Sequence, residues 1–190
     1  MRAAISTPTH APRALAAGKY TIDPAHSSIG FVARHLGFAR VRGTFSDVTG
    51  TIEVSPATGV ASAEVVVAAA SVDTGNERRD EHLRSAEFLD ADAHPAITFR
   101  TTSVEAVGDD QLEVGGDLTV RGVSRELRLS VAVAGEGVDN QGRDVIGFQT
   151  AADIDRREFG ITYSGTAPGG DALVAERIRL EVDVLAARQS

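Results

Sequence analysis

The chain has 190 residues, 42% of them hydrophobic, with 19 Lys and Arg against 27 Asp and Glu for a formal net charge of −8. That is the size and apolar content of one compact core, and an acidic surface repels polyphosphate and anionic headgroups, which excludes nucleic acid as a partner. The absence of cysteine excludes disulfides, thiolate metal sites and cysteine nucleophiles, so any metal has to rest on His, Asp and Glu.

Residues 1–17, MRAAISTPTHAPRALAA, hold Ser6, Thr7, Pro8, Thr9, His10 and Pro12 between Arg2 and Arg13, which leaves no apolar stretch of signal-peptide length. A disordered tail is predicted over 1–17, followed by a folded domain over 18–187 and a cytoplasmic location. The longest strongly apolar run, Val65 to Ala70, is far short of the ~20 residues that span a bilayer, so no stable membrane insertion is expected.

After Gly18 the apolar residues alternate. Ile29, Phe31, Ala33 and His35 share one face of a strand, and Val41, Gly43 and Phe45 follow, then Ile52 and Val54. Ala63, Val65, Val67 and Ala69 continue the pattern in a run apolar enough to be partly sheltered on both faces. The stretch Ser71 to Phe99 interrupts it. Thr74 and Glu77 have capping-box spacing, and Asp80 and Arg84 fall one turn apart, which predicts a short helix. His94-Pro95 disfavours helix, and Ile97 and Phe99 return to strand periodicity. Leu112 and Val114, Leu118 and Val120, the row Leu127, Leu129, Val131 and Val133, Ile146 and Phe148, and finally Ile178, Leu180, Val182 and Val184 complete the set. Glycine-containing turns stand between them, as at Ala57-Thr58-Gly59, Asn140-Gln141-Gly142 and Gly169-Gly170.

About eight or more strands joined by hairpins imply an antiparallel sheet that closes to remove its edges. A barrel of that strand number either fills its interior or holds one small ligand. Small residues such as Ala33, Gly43, Ala63 and Ala69 interleave with Phe31, Phe45 and Phe99, which would leave room at the centre, but periodicity alone describes a filled barrel or sandwich equally well.

Several blocks resemble the YceI-like family of lipocalin-like, polyisoprenoid-binding proteins. Tyr20-Thr21-Ile22-Asp23-Pro24 with His26, Ser27, Ile29 and Phe31, then Arg34-His35-Leu36-Gly37, are similar to its opening motif. Gly43-Thr44-Phe45, Ser71-Val72-Asp73-Thr74-Gly75, Arg79-Asp80 with His82-Leu83, Phe88 and His94-Pro95 resemble its central segment. Gly116-Asp117-Leu118-Thr119-Val120 with Gly122-Val123-Ser124-Arg125 is similar to the family's next signature, and Arg156 with Phe159-Gly160-Ile161 to the one before its last strand. Two departures are Ser124-Arg125-Glu126 in place of the more frequent Thr-Arg-Pro, and Arg157-Glu158 in place of Ser-Asp. The resemblance implies an all-β fold, an extended antiparallel lipocalin-like β-barrel with one short helix packed beside it. It further implies an apolar tunnel that holds an isoprenoid or other long-chain lipid, with no chemistry and no cofactor.

On this reading the ligand-binding residues are Phe31, Ala33, His35, Phe45, Phe88, Phe99, Phe148 and Ile161, with His35 near the head group, and a homodimer is allowed. No catalytic or metal-binding residue is assigned. His26, His35, His82 and His94 lie on different elements without ligand spacing, and Ser27 and Ser28 are in no nucleophile elbow. Arg79, Asp80 and His82 form the one compact polar group. They are expected to dock the helix, the alternatives being an enzyme acting on such a lipid or a lipid-free stress-response module with a packed barrel.

Overall fold

The computed structural model describes residues 15–55, 59–170 and 172–189. Its strands in chain order are β1 (Gly18–Ile22), β2 (Ser28–His35), β3 (Ala39–Phe45), β4 (Val48–Ser55), β5 (Gly59–Ala68) and β6 (Val72–Asp73), then, after helix α1 (Glu77–Arg84), β7 (Ala96–Ala106), β8 (Gln111–Val120), β9 (Val123–Val138), β10 (Asp144–Asp155) and β11 (Arg177–Arg188). The pairing β1-β4-β5-β7-β8-β9-β10-β11 returns to β1, so eight antiparallel strands close into a ring. Closure follows from the alternation: each strand has one apolar face, and a ring buries all of them with no edge left unpaired.

β11 is shared between two partners. Its C-terminal end pairs with β1 through Ala186–Arg188, whereas Arg179–Asp183 pairs with β2, which carries β3 and the two-residue β6 beyond the ring. At the fork stands Leu185, whose carbonyl accepts from the Asp23 N–H at 2.8 Å and the Ser27 hydroxyl at 3.2 Å, while its N–H donates to Ser27 Oγ at 3.0 Å. Ser27 thus substitutes for a missing ladder partner where one strand hands over to the next. Register shifts at Glu53/Val54, Thr101/Ser103 and Gly147/Phe148 bend the long strands around the barrel.

The helix begins later than the capping-box spacing implies. Asn76 is the N-cap, its side chain accepting from the Arg79 N–H, because the Thr74 hydroxyl is engaged with Asp80. Asp80 and Arg84 do not pair either; Arg84 donates to the carbonyls of Ala70 and Val72 at 2.8 and 3.0 Å. The row expected to run through Ala69 stops at Ala68, and Ala69–Ser71 forms a 3₁₀ turn. The tail predicted over 1–17 lies outside the described residues as far as residue 14. Leu15 is buried against the core, and the Tyr20 hydroxyl donates to the Ala16 carbonyl at 2.8 Å.

Candidate functional site

Two apolar clusters make up the interior of the barrel. Near the chain termini Leu15, Tyr20, Ile22, Val48, Ile52 and Ile146 are fully packed, and at the helix end Phe88, Leu118, Val120, Phe159 and Ile161 form a second group. Between them Val65, Phe99, Leu129 and Val182 face inward, yet they are only half-buried. A side chain that points into a closed ring and still has free surface borders a void. That void has a volume of about 300 Å³, at the lower end of the range for small-molecule sites.

Glycines help to keep it open. A Cβ at Gly43 would clash with the edge of the Phe31 ring, and one at Gly116 with the edge of the Phe99 ring and the Arg100 carbonyl. The two rings therefore pack against the neighbouring strand where a side chain is missing, which sets how far they reach into the lumen they line. Phe31 also packs against Phe45 at 5.9 Å between centroids.

The wall is hydrocarbon apart from Thr98, Thr101, Gln149, Thr150 and Arg156. Thr101 Oγ1 accepts from the Ala63 N–H at 2.9 Å and the Thr150 hydroxyl donates to the Ser130 carbonyl at 2.8 Å. Arg156, 6% exposed, donates to four carbonyls: Ala175 at 3.1 Å, Ile161 at 2.7 Å, Tyr163 at 2.7 Å and Val174 at 3.3 Å. Burial lowers the pKa of its guanidinium, and Glu176 and Asp155 work against that shift. The engaged polar groups leave a lining that offers a ligand dispersion contact and little hydrogen bonding.

Seven of the eight residues expected to meet a ligand, Phe31, Ala33, Phe45, Phe88, Phe99, Phe148 and Ile161, line this cavity, and His35 does not. His35 ends β2 and bridges to Val174, which does line it. Sequence reasoning missed the wall contributed by Leu83 and Leu89 beside the helix and by Val174 in the loop before β11. It also missed the role of Arg156. The parity of Phe148, Thr150, Ala152 and Ile154 already places residue 156 on the inward row.

Arg79, Asp80 and His82 are not among the lining residues. Asp80, 5% exposed, accepts from the Thr74 N–H at 3.0 Å and the Thr74 hydroxyl at 2.5 Å, and Arg79 donates to Thr74 Oγ1 at 2.7 Å and its carbonyl at 3.0 Å. His82 meets Glu87 at 2.5 Å and places its ring edge-on to Phe88 and Tyr163. All three therefore fasten the helix and its following turn over the barrel's end. Asp80→Ala and His82→Ala should each cost about 0.5 to 2 kcal/mol, the first because it removes the acceptor of the half-buried Thr74 N–H and hydroxyl, both read as denaturation midpoints. Among the described residues no group of three His, Asp or Glu side chains is placed to hold a metal, and His26 and His94 stand near Asp23 and Asp90 respectively.

A family described as the YceI-like domain matches residues 20–186. A UPF0312 protein of Vibrio cholerae is 37% identical over 159 residues, covering 82% of this chain and 84% of its own. The YceI protein of Campylobacter jejuni has a solved structure that superposes with a TM-score of 0.71 at 28% identity, over 83% of this chain and 90% of its own. A polyisoprenoid-binding domain from Saccharophagus degradans, implicated in plant cell wall breakdown, shares the fold with a TM-score of 0.66 at 17% identity, over 90% and 98% of the two chains.

Proposed function

This chain belongs to the YceI-like family, and on that premise we propose that it is a noncatalytic carrier that holds an isoprenoid or similar long-chain lipid inside the barrel. The observation that carries this reading is the hollow inside the ring, walled by apolar side chains, with the hydrogen-bonding groups of Thr101, Thr150 and Arg156 already engaged. Such a space stays dry, because a water there would forfeit its hydrogen bonds, and a hydrocarbon chain fills it at no such cost. The polyisoprenoid-binding domain of the same fold supports an isoprenoid as the class of chain. Phe31, Phe45, Phe99 and Phe148 would contact the chain along its length and Phe88 and Ile161 its end, with His35 at the rim beside Val174 taking the head group.

No helix among the described residues is long and apolar enough to cross a membrane, and the cytoplasm is the proposed location. Mass spectrometry of an organic extract of the gently purified protein tests the reading. One long-chain lipid near one molecule per chain is expected. An empty extract, together with failure to take up an added isoprenoid, would remove the carrier function.

A further inference from the structure

The tip of the β2–β3 hairpin combines features that the stability of the barrel does not require. Phe38 is 75% exposed, more than any other large apolar side chain among the described residues. It follows Leu36 and Gly37, both in the left-handed region at φ 53° and 76°. That is the pattern of a type I′ turn, where leucine is strained. His35 resumes pairing with Ala39, so Phe38 stands outside the ladder.

Arg34 and Arg40 lie directly opposite each other just below this tip. Like charges in that register work against a sheet. Among the described residues neither meets a carboxylate, whereas Arg42 and Arg179 farther along share Glu181. The tip also sits at the helix end of the cavity. The Leu36 N–H donates to the Leu173 carbonyl at 3.2 Å, and the Ala175 N–H to the Arg34 carbonyl at 2.9 Å, either side of Val174 in the cavity wall.

We propose that this tip is a peripheral anchor for an anionic bilayer, with Phe38 entering the boundary between headgroups and acyl chains and Arg34 and Arg40 meeting lipid phosphates. An aromatic ring flanked by two guanidinium groups that meet no carboxylate among the described residues matches the apolar and anionic layers of such a surface. The net charge of −8 repels the same surface from the rest of the molecule, so the approach is tip first. That orientation presents the Val174 end of the cavity to the membrane. The inference goes beyond the carrier reading and does not need it, since docking is measured whether or not the cavity is loaded.

Flotation of the full chain with vesicles of phosphatidylcholine, with and without phosphatidylglycerol, tests the anchor. Binding should require phosphatidylglycerol and weaken as salt is raised. Arg34→Gln with Arg40→Gln should lower affinity about thirtyfold, and Phe38→Ala about tenfold, with melting temperatures unchanged or raised. The chain has no tryptophan, so Phe38→Trp supplies a single indole whose emission should shift to the blue only with anionic vesicles. Equal binding to both vesicle types, or undiminished binding by the double arginine variant, would overturn the proposal. So would a Phe38-dependent dimer that ignores vesicles, which would make a second copy of the chain the occupant.

Discussion

Replacing Ala33 by tryptophan should empty the barrel of its ligand while leaving the fold intact. Ala33 borders the cavity between Phe31 on its own strand and Val41, its partner across the hairpin. A large ring there has a void to enter. In a filled core the same ring would overpack at a cost of about 1 to 3 kcal/mol, whereas filling a void adds apolar contact and holds or raises stability. Extractable lipid per chain should therefore fall to near zero as the denaturation midpoint of the lipid-free protein holds or rises. A destabilised variant from a parent that never carried lipid would show that the barrel does not serve as a container.

Loss of Arg156 should be the most damaging single change to stability. Arg156→Met keeps the length and removes the charge, which leaves the carbonyls of Ile161, Tyr163, Val174 and Ala175 without the donor they share. A buried acceptor left unmet costs about 1 to 3 kcal/mol; the Ile161 carbonyl is buried and the other three are half-buried and reach water in part, so a total of about 3 to 5 kcal/mol is expected. Arg156→Lys, which keeps the charge but not the planar fork, should fall between the two in denaturant titration. Equal stability of all three proteins would refute the role.

The neighbouring arginine gives the contrast. Arg157 lies on the surface, bonded to Asp155 and Glu176, and hydrogen bonds from its side chain and backbone hold the Asp155 carboxyl down to about 2. A depressed carboxylate stabilises the fold above its ordinary range of about 4 and loses that contribution as pH falls through its folded value. Arg157→Gln keeps the backbone N–H that Asp155 also accepts, so it should remove the side-chain share of this acid sensitivity and little else.

Which of two adjacent arginines is buried depends on the parity of β10, because the inward row passes from Phe148 through Ile154 to Arg156. Parity is readable in the letters, but a charged side chain on an apolar row reads as an interruption until its acceptors are known. Those acceptors come from residues 161–175, a stretch without periodicity. Thr74 is a similar case. Its spacing to Glu77 is that of a capping box, yet its hydroxyl goes to Asp80 and Asn76 caps the helix, because tertiary docking of the helix outweighs the local option.

Alternation and turn chemistry by themselves determine that this chain makes an antiparallel β-sheet with one helical interruption, since strand periodicity and glycine turns are local properties of the backbone. They also place most of the aromatic wall, because inward parity repeats along each strand. Whether the interior is full or hollow is decided only in three dimensions. It depends on how far apart opposite walls stand and on whether Phe31 and Phe99 lie down over Gly43 and Gly116, a relation between strands that no single strand encodes. The handover of β11 from β1 to β2 at Ser27, and the placing of Arg34 opposite Arg40 at the hairpin tip away from any carboxylate among the described residues, are likewise tertiary facts, because a hydrogen bond or an ion pair is defined by the partner that folding brings within reach.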